Sequence, residues 1–163
     1  MNIYLVRHGQ DDESVRGGWC EHGLLDEGKR QSQLLGEKLS EIAFDAIFSS
    51  DLTRAVETTE IILSNLVSPL EIYYTSNLRE INNGLLAGMK HELAEERFPG
   101  LYYKTLAFNE RYPLGESPQE FYQRISNYWK KIITNQEKED ILIVTHGGVI
   151  NIIFHLLNNV PYT

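Results

Sequence analysis

The sequence predicts an α/β fold, a three-layer αβα sandwich with a mostly parallel central sheet. Short apolar runs alternate with amphipathic stretches along the chain, the order that builds a sheet from strand–helix–strand units. The strand-like runs, such as Ile141-Leu142-Ile143-Val144, are continuously apolar instead of alternating, as strands covered on both faces are. Two of these runs break off at the same signature, a histidine followed by glycine.

Taken in order, Ile3-Tyr4-Leu5-Val6 is a buried strand ending at Arg7-His8-Gly9. Leu35, Leu39 and Ile42 lie at helical spacing and set a first helix, opening near Asp26 and closing before Phe44. Ala46-Ile47-Phe48 is the second strand. A second helix runs from about Thr53, with Ala55, Thr59, Ile62, Leu63 and Leu66 on one side, and stops before Pro69. Glu71 to Thr75 is the third strand. From Asn77 to Pro118 the glycines and prolines Gly84, Gly88, Pro99, Gly100, Pro113, Gly115 and Pro118 predict long loops around a short helix near Lys90–Phe98. Loops of this length often carry binding function. Ser117 is the N-cap of the next helix, with Glu120 in the capping-box position and a stripe of Phe121, Ile125, Tyr128 and Ile132. The strand Ile141–Val144 then ends at Thr145-His146-Gly147-Gly148, and an apolar helix from Val149 to Leu157 precedes Pro161. No repeat, low-complexity tract or linker interrupts the pattern, so a single domain over 1–163 is expected.

Bulk composition narrows the function classes. With 163 residues, 42% hydrophobic and 23% charged, the chain has an ordinary globular balance. Its net charge of −8 argues against nucleic acid and anionic membranes as partners, because both attract basic surfaces. A few arginines in a cleft still suffice for a small phosphorylated ligand. The single cysteine, Cys20, permits no internal disulfide, which fits a reducing compartment. The first residues lack the basic and long apolar regions of a signal peptide, and no run reaches the roughly 18–20 apolar residues of a membrane span. A cytoplasmic protein is expected; monomer and homodimer stay equally open.

Ligands of open parallel sheets bind beyond the carboxyl ends of the strands. His8 and His146 therefore emerge on one edge and are expected to share a crevice. Ser49-Ser50-Asp51-Leu52-Thr53-Arg54-Ala55, leading from a strand into a helix, places the helix N-terminus and the fork of Arg54 where an anion binds, beside Arg7. Leu78-Arg79-Glu80 adds a carboxylate for proton transfer. No closely spaced metal-ligand pair such as HExxH occurs, and neither GxxxxGK[ST] nor GxGxxG is present. Two histidines, two arginines and an acid without a metal cluster suit phosphoryl transfer through histidine.

These blocks resemble the histidine phosphatase superfamily, the phosphoglycerate-mutase-like proteins. The resemblance is carried in order by Arg7-His8-Gly9, by Gly18-Trp19 with Leu24 and Gly28, and by Ser49 to Ala55 with Glu57-Thr58. It continues through Leu78-Arg79-Glu80 with Gly84, Gly115-Glu116-Ser117 with Arg124, and Thr145-His146-Gly147-Gly148. It implies that His8 attacks phosphorus, that Arg7, Arg54 and His146 hold the phosphoryl oxygens with Gln10 and Gly147 at the phosphate site, and that Glu80 protonates the leaving oxygen and later serves as base toward water. It further implies that His146 acts best as a cation, and that no metal or organic cofactor is required.

Departures from that pattern are local. Asp11-Asp12-Glu13-Ser14 puts three acids beside the expected phosphate pocket, where they repel a substrate unless they point outward or meet a cationic part of it. Leu25 stands where a capping Ser or Thr is usual, so Asp26 is expected to cap the first helix. Many relatives continue beyond Thr163, so a minimal member and a chain shortened at its C-terminus both fit the sequence. The leading reading is a phosphomonoester hydrolase acting on a small phosphorylated metabolite. Its alternatives are a phosphoglycerate-type mutase and a noncatalytic module that binds a phosphorylated ligand. Sugar phosphates, phosphoglycerates and α-ribazole phosphate all suit such a pocket. His22, His91 and His155 are read as surface or helix-face residues and Cys20 as a packed thiol. Tyr102, Tyr103, Phe108 and Tyr112 either line the pocket or anchor the long loop.

Overall fold

A computed structural model describes residues 1–67, 71–135, 137 and 139–162. Four strands, β1 (Asn2–Arg7), β2 (Ala46–Ser50), β3 (Ile72–Thr75) and β4 (Asp140–Thr145), pair wholly in parallel in the order β1-β4-β2-β3. The helices are α1 (Asp26–Leu39), α2 (Thr53–Leu63), α3 (His91–Arg97), α4 (Pro118–Thr134) and α5 (Gly147–Asn158). The α/β expectation and the parallel sheet are both met.

Two hydrophobic clusters cover the sheet, and the pleat of β4 divides its side chains between them. Ile141 and Ile143 pack with Phe121, Ile125, Trp129 and Ile132 of α4 and Val149, Ile152 and Ile153 of α5. Leu142 and Val144 turn the other way, onto Leu39 of α1 and Ala55 and Ile62 of α2. This two-sided demand explains the unbroken apolar run in β4. It also makes three layers, helices on each side of one sheet. A third, smaller cluster of Leu86, Ala94 and Tyr112 anchors the long segment between β3 and α4. Tyr112 therefore follows the loop-anchoring reading, and Phe108 lies against Tyr162, with 6.3 Å between ring centroids.

Helix boundaries bring three corrections. α1 ends at Leu39, not just before Phe44, and Ile42 packs against the Leu39 cluster from the turn that follows. Its apolar spacing recorded burial, not helix. The N-cap of α1 is Leu25, without a side-chain hydrogen bond, and Asp26 is the first helical residue instead of the cap. Asp26 and Glu27 still place negative charge in the first turn, where the helix dipole favours it. The predicted capping box is present in α4: Ser117 Oγ accepts from Glu120 N and Glu120 Oε2 from Ser117 N, with Pro118 at the first helical position. α2 stops at Leu63, before the expected limit, and Pro69 lies outside the described residues.

Candidate active site

The two histidine-bearing strands are neighbours in the sheet. Arg7 pairs with Thr145, and the next amide, His8 N, donates to Thr145 O at 3.0 Å. Both histidines leave the same edge, and their ring centroids lie 5.1 Å apart. Gly9 follows His8 where the chain turns onto α1, and a side chain there would collide with the carbonyl of Gly28.

His8 is buried, and its Nδ1 lies 2.7 Å from Gly9 O. A carbonyl oxygen only accepts, so Nδ1 carries the proton and Nε2 keeps its lone pair. That lone pair faces Arg54 Nε at 3.4 Å. Burial lowers the His8 pKa from 6.5 to about 4; Arg54 and Arg7 act in the same direction, while the Gly9 carbonyl and Asp11 oppose them. The turn is tied to α2 by Thr58, whose Oγ1 accepts from Gly9 N at 3.0 Å and donates to Arg54 O at 2.8 Å.

Arg54 sits in the first turn of α2 and is 2% exposed. Its NH1 donates to Cys20 O at 3.0 Å and its NH2 to Gly18 O at 2.7 Å, so the segment after β1 holds the guanidinium from behind. Its Nε also lies 3.4 Å from Asp11 Oδ2. The three acids after Gln10 therefore separate in role. Asp12 accepts the amide and hydroxyl of Ser14 in a local turn, Glu13 is exposed, and Asp11 alone turns inward against a cation. Cys20 is buried as expected, with Sγ 3.7 Å from Arg54 NH1.

His146 ends β4 and is the N-cap of α5. It is fully buried, its Nε2 lies 2.7 Å from Ser50 Oγ, and its Nδ1 has no hydrogen-bond partner. Burial, followed by Arg54 and His8, drives its pKa well below 6.5. Burial and these positive neighbours disfavour the cationic form that the resemblance implies.

Glu80 reaches the same edge from the loop after β3. Its Oε1 accepts Ile81 N at 3.0 Å and its Oε2 accepts Gly148 N, in the first turn of α5, at 2.9 Å. A Cβ at position 148 would collide with Glu80 Oε1, so the second glycine after His146 admits the carboxylate. Arg124 of α4 fixes the loop. It grips Glu116 at 2.7 and 2.9 Å and donates to the carbonyls of Ser76, Asn77, Arg79 and Glu80. Glu116 in turn accepts Asn82 N at 3.0 Å. Trp19 Nε1 donates to Glu80 O at 2.8 Å, and the Arg79 guanidinium lies 4.6 Å from the Trp19 ring centroid.

The structure thus gathers His8, Arg54, His146 and Glu80 on one sheet edge. Arg7 and Gln10 are exposed and line, with His8, Gly9, Glu13 and Gln31, an open cavity of about 350 Å³. Gly147 is exposed at the first position of α5, near Arg7 Nε. His22 and His91 are exposed and His155 is part-buried, all outside this group. Asp11, Ser50 and Thr58 were not singled out in the sequence as contacts of the site. Ser50 and Thr58 lie inside the recognised block around Arg54, and the unusual acids after Gln10 were the signal for Asp11. Among the described residues, no group of three or more His, Cys, Asp or Glu is placed to hold a metal ion. Nor is any described helix long and apolar enough to cross a membrane.

Comparison with known proteins matches residues 3–163 to the histidine phosphatase superfamily (branch 1). A Schizosaccharomyces pombe protein named as a probable phosphatase is 31% identical over 158 residues, covering 94% of this chain and 71% of its own. A 2,3-bisphosphoglycerate-dependent phosphoglycerate mutase of Cytophaga hutchinsonii is 30% identical over 153 residues, covering 90% and 72%. The solved α-ribazole phosphatase of Shigella flexneri superposes with a TM-score of 0.88 at 26% identity, covering 99% of this chain and 81% of that one.

Proposed function

Since the chain belongs to the histidine phosphatase superfamily (branch 1), we propose that it is a phosphomonoester hydrolase that turns over a small phosphorylated metabolite through a phosphohistidine. The observation that carries this reading is the His8 ring. Its Nδ1 proton is committed to Gly9 O, and its Nε2 lone pair is buried beside a guanidinium. A nucleophile needs that combination: an unprotonated attacking atom next to a cation that gathers the phosphoryl oxygens.

In the proposed cycle His8 Nε2 forms a bond to phosphorus as the P–O bond to the leaving group breaks. Glu80 gives its proton to the departing oxygen. Arg7, Arg54, the Gly147 amide and His146 Nδ1 hold the non-bridging oxygens. Ser50 Oγ accepts Leu52 N–H at 3.3 Å, so its own proton is free for His146 Nε2, and Nδ1–H is left to donate. Water then attacks phosphorus, Glu80 takes its proton, and the P–N bond breaks to release inorganic phosphate and regenerate His8. Positive groups offset the phosphoryl charge throughout, so the scheme requires no metal or organic cofactor.

Similarity to proteins named as phosphatases, one of them an α-ribazole phosphatase, supports hydrolysis of a phosphate ester. Similarity to a protein named as a phosphoglycerate mutase favours the alternative, return of the phosphoryl group to substrate instead of water. The test is rapid quenching during turnover of a phosphorus-labelled ester. Acid-labile, alkali-stable label on His8, lost together with turnover in His8→Ala, is expected. Label on a carboxylate, or inversion at phosphorus, refutes the covalent scheme. Isomerisation without phosphate release would assign the mutase reaction.

A further inference from the structure

We propose that Asp11 is the resident counter-ion of Arg54, exchanged for the phosphoryl group on binding and returned as inorganic phosphate leaves. The inference rests on the hydrolase reading for the identity of the anion, and on geometry for the exchange.

An arginine has five N–H donors. In Arg54, NH1 and NH2 each donate to a backbone carbonyl, those of Cys20 and Gly18, which fixes the plane of the guanidinium. Its Nε donates to His8 Nε2 at 3.4 Å and lies at ion-pair distance, also 3.4 Å, from Asp11 Oδ2. A phosphorus atom placed for attack by Nε2 brings its oxygens to that same donor. Phosphoryl group and carboxylate thus meet the same cation from the same side.

Asp11 is built into the site. Its side chain is 12% exposed, and its backbone bridges to Leu24 at the approach to α1. Asp12, the next residue, is held away by Ser14 and takes no part. Two like charges at contact distance repel. Asp11 therefore steadies Arg54 between turnovers, weakens the hold on free phosphate, and favours release over retention of the phosphoryl group.

Calorimetric titration with inorganic phosphate tests this without any ester. Asp11→Asn keeps shape and removes charge, and it should bind phosphate at least about fivefold tighter than wild type, the least effect of one like charge at contact. Product inhibition by phosphate should strengthen in parallel, and Asp12→Asn should show no such gain. Unchanged or weaker phosphate binding in a folded Asp11→Asn overturns the counter-ion role. If that variant does not fold, wild type labelled at its aspartate carboxyl carbons decides: phosphate should shift the Asp11 resonance, and an unmoved resonance overturns the proposal. Tighter phosphate binding in a protein that turns over no ester would sustain the counter-ion role while removing the hydrolase reading. Normal turnover with unaltered phosphate binding would remove the counter-ion role alone.

Discussion

Glu80 Oε2 accepts the backbone amide of Gly148 at 2.9 Å, which ties the loop acid to the same helix start that follows His146. The contact depends on a missing side chain, since a Cβ at 148 would collide with Glu80 Oε1.

Gly148→Ala should therefore displace Glu80 while leaving His8 intact. Turnover of alkyl phosphates, which need a proton on the leaving oxygen, should fall by roughly 10²–10⁴, the usual contribution of general acid catalysis. Activated aryl phosphates should form the phosphohistidine at near wild-type rate. Steady-state and burst kinetics on the two ester types check this; an equal loss for both would mean that Glu80 is not the acid.

Arg54→Lys should be severely impaired. One ammonium cannot bond Cys20 O and Gly18 O while also presenting an N–H beside His8, as the guanidinium does. A loss of roughly 10²–10³ in kcat is expected, the scale of one transition-state donor. Near wild-type kcat would place Arg54 outside the chemistry.

Arg124→Ala should loosen the loop that carries Glu80. Removing it leaves the Glu116 carboxylate without its cation and the carbonyls of Ser76, Asn77, Arg79 and Glu80 without this donor. Breaking such a part-buried pair costs on the order of 3 kcal/mol. Denaturant unfolding should register that loss, and amide exchange should accelerate across 76–82. Unaltered stability would show that the pair contributes nothing net.

The His8 ring should titrate with a midpoint of about 4, followed by NMR of its ring carbons, instead of near 6.5. Between these values the unfolded chain binds the proton and the folded chain does not, so stability is fully present above pH 6.5 and falls as pH drops toward about 4. His146, also lowered, adds to the same slope. Thermal unfolding from pH 7.5 to 4 should show that decline, shallower in a folded His8→Gln. A midpoint near 6.5 would mean a solvated ring.

Much of this was legible in the chain itself. β4 announced itself because Ile141 to Val144 must satisfy clusters on both faces. The turns after β1 and β4 followed from glycines at strand ends, and Ser117 with Glu120 fixed the start of α4 by purely local hydrogen bonds. What escaped were contacts set by side-chain direction between distant segments. Nothing near Asp11 says that it turns toward Arg54 while Asp12 turns back onto Ser14. The carbonyls of Gly18 and Cys20 have no sequence signal at all, since any residue supplies one. The burial that lowers the His146 pKa is likewise set by distant packing, which a motif does not encode.

The adjacency of β1 and β4 also bears on how the protein acquires activity. Asn2 Nδ2 reaches Asp140 Oδ1 across 138 positions, and the strand pair between them carries the two histidines. Closing so long a loop is entropically unfavourable before the rest of the sheet rewards it, and folds dominated by such pairings form slowly. On the ribosome, His8 is made long before β4, and the pocket around it lacks a wall until β4 has emerged and inserted between β1 and β2. Ester turnover during translation or refolding would therefore report the last long-range docking event, well after α1 and α2 have formed.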